Sequence, residues 1–183
     1  NDLGWYSGDA HVHFLSTMGA MLEAKGEDLN VVNLLQSQWG TVFTNTEDFI
    51  GEPLVSQSGQ NIVYTCQENR QTPMGHLILW GLKEPLMPWC TGEGGECEIG
   101  ATLETGLCHW ADEALEQGAT VILPHFGGLT GECVALIATG RAQGLEFIYL
   151  RESQHEDYYK ALNAGYRMPL VGGTDKMSSD VPV

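Results

Sequence analysis

Thr120-Val121-Ile122-Leu123-Pro124-His125 is a short apolar, β-branched run that ends on an ionisable ring. An apolar run of this length closed by a turn signal reads as a buried strand, and Gly127-Gly128 supply the turn. Upstream, Leu103, Leu107, Trp110, Ala114 and Leu115 fall on one helical face, with Gly118 after them as a stop. Downstream the alternation recurs: a helix over residues 132–141, a strand over 145–150, a helix over 154–164 and a strand over 168–172. Gly144 and Gly165 end the two helices. A strand–helix repeat of about 25 residues marks a parallel α/β sheet or barrel, and such folds bind ligands at the carboxyl ends of their strands.

The first half contributes four more strands. One covers residues 8–13, followed by a helix over 17–25; the next covers 29–36, where Val31 and Val32 favour extended backbone. Strands over 61–67 and 76–82 are separated only by residues 68–75, too few for a parallel crossover, so an antiparallel hairpin is expected. Residues 84–100 carry Pro85, Pro88, Gly92, Gly94, Gly95 and Gly100 and read as a long loop. The expectation is therefore one α/β domain over residues 1–183 with seven strands. The first residue, Asn1, is not a methionine, which predicts a piece of a longer protein.

With 24 acids against 8 Lys plus Arg, the net charge is −16. That excludes the basic footprint of nucleic-acid binding and disfavours anionic lipid, while cations are attracted. No apolar run reaches the roughly 20 residues of a membrane-spanning helix. Cys66, Cys90, Cys97, Cys108 and Cys133 form an odd set without a CxxC pair. They read mainly as buried free thiols, with a Cys90–Cys97 bridge in the Gly-rich loop as the alternative.

Chemistry-bearing residues gather at strand ends. His11 and His13 are two apart, so on a strand both point to one side. Glu68 and His76 would flank the hairpin at one rim, His125 closes an apolar strand, and Asp175 follows Val171-Gly172-Gly173-Thr174. Four His, one Glu and one Asp at five strand termini are ligand types for Zn²⁺, Mn²⁺ or Fe²⁺. One bridging carboxylate would allow two ions. There is no G-x-S-x-G elbow or Walker loop, and His155-Glu156 lacks the second His of a zincin helix.

Gly4-Trp5-Tyr6-Ser7-Gly8-Asp9-Ala10-His11-Val12-His13 resembles the first motif of the PHP (polymerase and histidinol phosphatase) superfamily, and within it the CehA/McbA branch of carbaryl-hydrolase-like metallohydrolases. Glu68 with Gly75-His76, then Pro124-His125, then Gly172-Gly173-Thr174-Asp175 match later motifs in order. The resemblance implies a distorted seven-stranded β/α barrel, related to the TIM barrel. It implies that His11, His13, Glu68 and Asp175 hold one divalent ion and that Glu68, His76 and His125 hold a second. Asp9 would orient a ligand imidazole. Two positions depart from the pattern. Leu35-Gln36-Ser37 stands where many relatives have an Asp-His pair, and Met177 stands where many have a His, so one or two ions are expected rather than three.

The resulting expectation is a metal-dependent hydrolase that directs an activated water at an ester, carbamate or phosphoester of a small molecule. Glu68 would bridge the ions, Asp175 would move the water's proton and Arg70 would hold a substrate carboxylate or phosphate oxygen. Lys176 could neutralise an anion, His155 could contact substrate or stand on the rim, and His109 reads as surface. The alternative is a non-catalytic metal- or ligand-binding barrel within a larger protein.

Overall fold

A computed structural model describes residues 3–97, 105–148, 151–178 and 180. In order along the chain they form β1 (Gly8–Val12), α1 (Thr17–Gly26), β2 (Val31–Trp39), β3 (Val42–Thr44), β4 (Leu54–Val55), β5 (Ile62–Thr72) and β6 (Gly75–Trp80). Then follow β7 (Cys90–Gly92), α2 (Leu107–Glu116), β8 (Thr120–Leu123), α3 (Cys133–Ala138), β9 (Gly144–Glu146), α4 (Glu152–Asn163) and β10 (Leu170–Val171). The expected strand ends at residues 149–150 and the expected helical residue Leu103 lie outside the described residues.

The strands make one ten-stranded sheet in the order β1-β2-β5-β6-β8-β9-β10, with β3 on β2 and β4 and β7 on β5. It is barrel-shaped and nearly closed. Ala10 N–H donates to Gly172 O at 3.2 Å, His13 N–H donates to Lys176 O at 3.0 Å, and Val12 bridges to Lys176 in parallel. Closure leaves few unpaired strand edges. A regular β/α alternation is present only from β8 to β10 and between β1 and β2. The β2–β5 connection carries β3 and β4 instead of a helix, and β6 runs antiparallel to both of its neighbours.

The expected hairpin is present but tighter than the sequence suggests. Strand β5 runs on to Thr72, and Arg70 pairs directly with His76. Glu68 therefore stands within a strand, opposite Ile78, and not at its end. The polar run from Gln67 to Gln71 looks like a loop in sequence. Here its side chains are buried and mostly paired: Gln67 Nε2 donates to Leu86 O at 2.6 Å and Asn69 Nδ2 to Pro88 O at 3.3 Å, while Arg70 Nε has no hydrogen-bond partner among the described residues. Residues 84–100 are likewise not all loop, because β7 lies parallel to β5, and Cys90 and Cys97 are joined as a disulfide with Cα atoms 5.3 Å apart. The alternative reading of those two cysteines is the one realised; Cys66, Cys108 and Cys133 remain free thiols.

Two apolar layers carry the barrel. Leu77 and Leu79 of β6 face outward against Trp110, Ala111 and Ala114 of α2, together with Val121 and Leu123. Val12, Val32 and Leu34 pack on Ala20 and Met21 of α1. On the opposite strand face, Leu35, Cys66, Ile78 and Ile122 form a small separate cluster. By the two-residue period, Glu68 and His76 share that face one step further along their strands. Replacing the fully buried Leu79 by Ala is expected to destabilise the fold by about 2–5 kcal/mol in equilibrium urea unfolding. A loss below about 1 kcal/mol would contradict this packing.

Candidate metal centre

Strand β1 supplies the first pair of groups. His11 and His13 are both fully buried, with their Nε2 atoms 2.9 Å apart. Asp9 accepts from His11 N–H at 3.0 Å, from Thr174 N–H at 3.0 Å and from Thr174 Oγ1 at 2.6 Å. It thus ties β1 to the loop bearing Asp175, instead of orienting an imidazole as expected.

Glu68 lies at the centre, 1% exposed. Its Oε2 is 3.2 Å from His13 Nε2 and its Oε1 is 3.7 Å from His11 Nε2. Asp175 Oδ1 completes this side at 3.1 Å from His11 Nε2 and 3.7 Å from His13 Nε2. The same Oε1 of Glu68 faces the other side, 3.1 Å from His76 Nδ1 and 3.6 Å from His125 Nε2. His76 Nδ1 and His125 Nε2 are 3.0 Å apart. The ligand atoms of His11, His13 and Glu68 converge within 4.8 Å of one another, as do those of Glu68, His76 and His125. The structure therefore brings together all six residues picked from the sequence as metal ligands.

Each of three imidazoles has a partner on its far nitrogen. His11 Nδ1 is 2.9 Å from Glu146 Oε2, His13 Nδ1 is 3.2 Å from Ser37 Oγ, and His76 Nε2 is 3.5 Å from Glu96 Oε2. An outer acceptor that takes one ring N–H leaves the other nitrogen's lone pair pointing inward, the arrangement metal-binding histidines use. Sequence reasoning missed Glu146 and Glu96. Glu146 is an acid at the end of an apolar strand, a position that packing alone does not call for. Its Oε2 also accepts from His125 N–H at 2.8 Å, while Oε1 finds no hydrogen-bond partner among the described residues. Ser37 lies in the segment where the family pattern departs, and it serves His13 as an outer partner.

The electrostatics follow from burial and crowding. Burial pulls the His11 imidazole down, but the Glu68 and Glu146 carboxylates outweigh it and raise it to about 10. His13 goes the other way, lowered chiefly by burial. A protonated His11 can then donate Nε2–H to the neutral His13. For Glu68, burial favours the neutral acid, yet Arg70 and His11 hold it well below the ordinary carboxylate range. Burial also lowers His76, but hydrogen bonds to Glu68 and Glu96 raise it to about 9.

Of the remaining candidates, the two cations are placed differently from expectation. Arg70 is neither on the surface nor open to solvent: it pairs with Glu68, donates to Gln38 O at 2.7 Å and lies 3.7 Å over the Trp39 ring. A substrate oxygen would have to displace Glu68 to reach it. Lys176 is buried and paired with Glu23 of α1, so its charge is spent on the fold. His155 is exposed on α4, its ring centroid 6.1 Å from that of Phe147, and it joins neither metal group. His109 is exposed beside Glu113, as expected of a surface residue. His125 and Asp175 both have left-handed backbone, with φ of 33° and 51°. Such strain in residues other than glycine gathers where a site demands it.

No family model matches the chain, and no curated protein matches it. Among solved structures it is similar to a two-domain protein from Bacteroides vulgatus ATCC 8482 that contains a predicted PHP-like metal-dependent phosphoesterase. The TM-score is 0.60 at 16% identity, covering 93% of this chain and 51% of the other. The chain thus spans about half the length of that protein, and the likeness shows a shared fold.

Removing the charge of Glu146 should release its hold on His11. In Glu146→Gln, the His11 resonance in an NMR pH titration is expected to titrate clearly below about 10 in the metal-free protein. Unchanged titration would mean that Glu68 alone sets that value. Gly173→Ala should be more damaging, because a Cβ there would lie 2.0 Å from Glu146 Oε1 and 2.9 Å from His11 Cβ. The His11–Glu146 contact would have to break, with about 10–100-fold weaker metal binding in equilibrium dialysis.

Proposed function

We propose that this chain is a metal-dependent hydrolase with a dinuclear centre, acting on an ester, carbamate or phosphoester. The observation that carries this reading is the split of one buried carboxylate between two groups of imidazoles. Glu68 offers Oε2 to His13 and Oε1 to His76 and His125. The donor set of imidazole nitrogens and carboxylate oxygens, with outer partners that fix the tautomers, suits Zn²⁺, Mn²⁺ or Fe²⁺. His11, His13, Glu68 and Asp175 would hold one ion, and Glu68, His76 and His125 the other. The description of the similar Bacteroides vulgatus protein as a predicted PHP-like metal-dependent phosphoesterase supports a hydrolase. The opening motif supports the CehA/McbA-like branch.

Such ions supply Lewis acidity toward a substrate oxygen and bring the pKa of a water to about 7. The chain's own groups do the rest. Asp175 is the open carboxylate of the first group, with a quarter of its side chain exposed. It takes the proton of the attacking water and returns it to the leaving group. Arg70 holds the Glu68 carboxylate in place and keeps it ionised. Beside His76 and His125 opens a cleft of about 160 Å³, walled by Met74, Leu107, Leu123 and Phe126. No Lys or Arg lines it among the described residues, which favours an uncharged substrate group at that position.

A binding barrel without turnover is the second reading, favoured by Gln36 and Met177 at positions where ligands stand in many relatives. Turnover separates the two. With Zn²⁺ or Mn²⁺ supplied, the protein is expected to hydrolyse a nitrophenyl acetate or nitrophenyl phosphate, and Asp175→Asn to lower the rate about 10²–10⁴-fold. Equal rates for the two proteins would leave only the binding reading. Fewer than about 0.3 ion per chain by elemental analysis would remove both.

Metal uptake should also depend on pH with a defined sign. His11 and His76 are raised to about 10 and about 9, so both carry a proton at pH 7 that an incoming ion must displace. Uptake is expected to release about two protons per chain, and affinity to rise with pH toward about 10. Calorimetry in buffers of different ionisation enthalpy reads the release; heats independent of the buffer would contradict it.

A further inference from the structure

We infer that the Cys90–Cys97 disulfide is a positioning device for the second metal group, acting through Glu96, so that occupancy of this group follows the oxidation state of the two thiols. The inference rests on the dinuclear reading above. His76 is the pivot. Its Nδ1 faces Glu68 and His125, and its Nε2 faces the Glu96 carboxylate at 3.5 Å. An imidazole on a strand can turn about its ring axis. What selects the orientation presenting Nδ1 to the ion is the acceptor that takes Nε2–H. Glu96 is that acceptor, and it adjoins Cys97 in sequence.

The segment that carries Glu96 has little stiffness of its own. It reads Glu93-Gly94-Gly95-Glu96, and glycines impose few limits on the backbone. Besides its direct continuation from β7 and the His76 contact, two ties among the described residues hold it to the barrel. One is the hydrogen bond from Gly40 N–H to Glu96 O at 3.1 Å. The other is the disulfide, whose far end is locked into the sheet: Cys90 on β7 pairs with Arg70 on β5, and Arg70 N–H donates to Trp89 O at 2.9 Å. The disulfide thus links the Glu96 segment to β7, which is paired with the strand that carries Glu68. Opening it leaves the Gly40 N–H to Glu96 O bond as the backbone hydrogen bond from this segment to the rest of the barrel among the described residues, and Glu96 is held less firmly at its distance from His76. The first group has no such dependence, because His11 and His13 are held by Glu146 and Ser37 on other strands.

A phosphine reductant opens the bond cleanly. The disulfide takes up two electrons and two protons to give two thiols, and the phosphine becomes its oxide with oxygen from one water, which also supplies the protons. A thiol count by a chromogenic disulfide reagent under denaturing conditions then rises from the three free cysteines to five.

The test measures Mn²⁺ binding by equilibrium dialysis, with electron paramagnetic resonance to tell paired from single ions. Four samples are compared: the oxidised protein, the phosphine-reduced protein, Cys90→Ser/Cys97→Ser, and Glu96→Gln with its disulfide intact. The oxidised protein is expected to bind two ions and show a spin-coupled signal. The other three should keep the first ion at unchanged affinity, bind the second about 10–100-fold more weakly, and show mainly the signal of isolated Mn²⁺. If the double serine variant does not fold, Glu96→Gln and the reduced protein carry the test. Two ions bound equally well in all samples would overturn the inference and leave the dinuclear reading standing. Fewer than two ions in the oxidised protein would overturn the dinuclear reading itself. A second ion lost on reduction but kept in Glu96→Gln would overturn the route through Glu96.

Discussion

A carboxylate buried to the extent of Glu68 stays ionised only if its surroundings replace the water it has lost. The barrel is arranged around that demand. Arg70, two residues on along the same strand, supplies a permanent cation whose own burial is eased by the Trp39 ring and the Gln38 carbonyl. Four imidazoles approach from three other strands or their ends. Removing any one partner would leave a buried charge less compensated.

The antiparallel course of β6 makes this convergence possible. In an all-parallel barrel, a side chain at the start of a strand would lie at the rim opposite to one at the end of its neighbour. The hairpin reverses β6, so His76 near its beginning meets Glu68 near the end of β5. The barrel departs from regular β/α order at the place where the second imidazole group has to be built.

What the sequence revealed follows from local rules. The period of two put His11 and His13 on one side, the short 68–75 connection implied the hairpin, and His125 and Asp175 stood out after apolar strands. Those rules are local, and they were enough to single out all six residues that converge. Where they failed, the determining partner was distant. The run from Gln67 to Gln71 looked too polar for a buried strand because its acceptors, Leu86 O and Pro88 O, lie in another segment. Glu146 was one acid among 24, and nothing in its spacing tells of His11 on the far side of the chain. Arg70 and Lys176 invited ligand roles as cations near the site, whereas Glu68 and Glu23 already occupy them. The cysteines misled through their odd count, which hides a single short-range pair.

The barrel is closed by residues far apart in sequence. Asp9 and Thr174, 165 residues apart, are joined directly, and this join also brings Asp175 to His11. During synthesis His11 and His13 therefore wait for more than 160 further residues before Asp175 emerges. Contacts of such long separation form late and slowly. An ion captured early by His11 and His13 would meet an incomplete shell, lacking the Asp175 carboxylate.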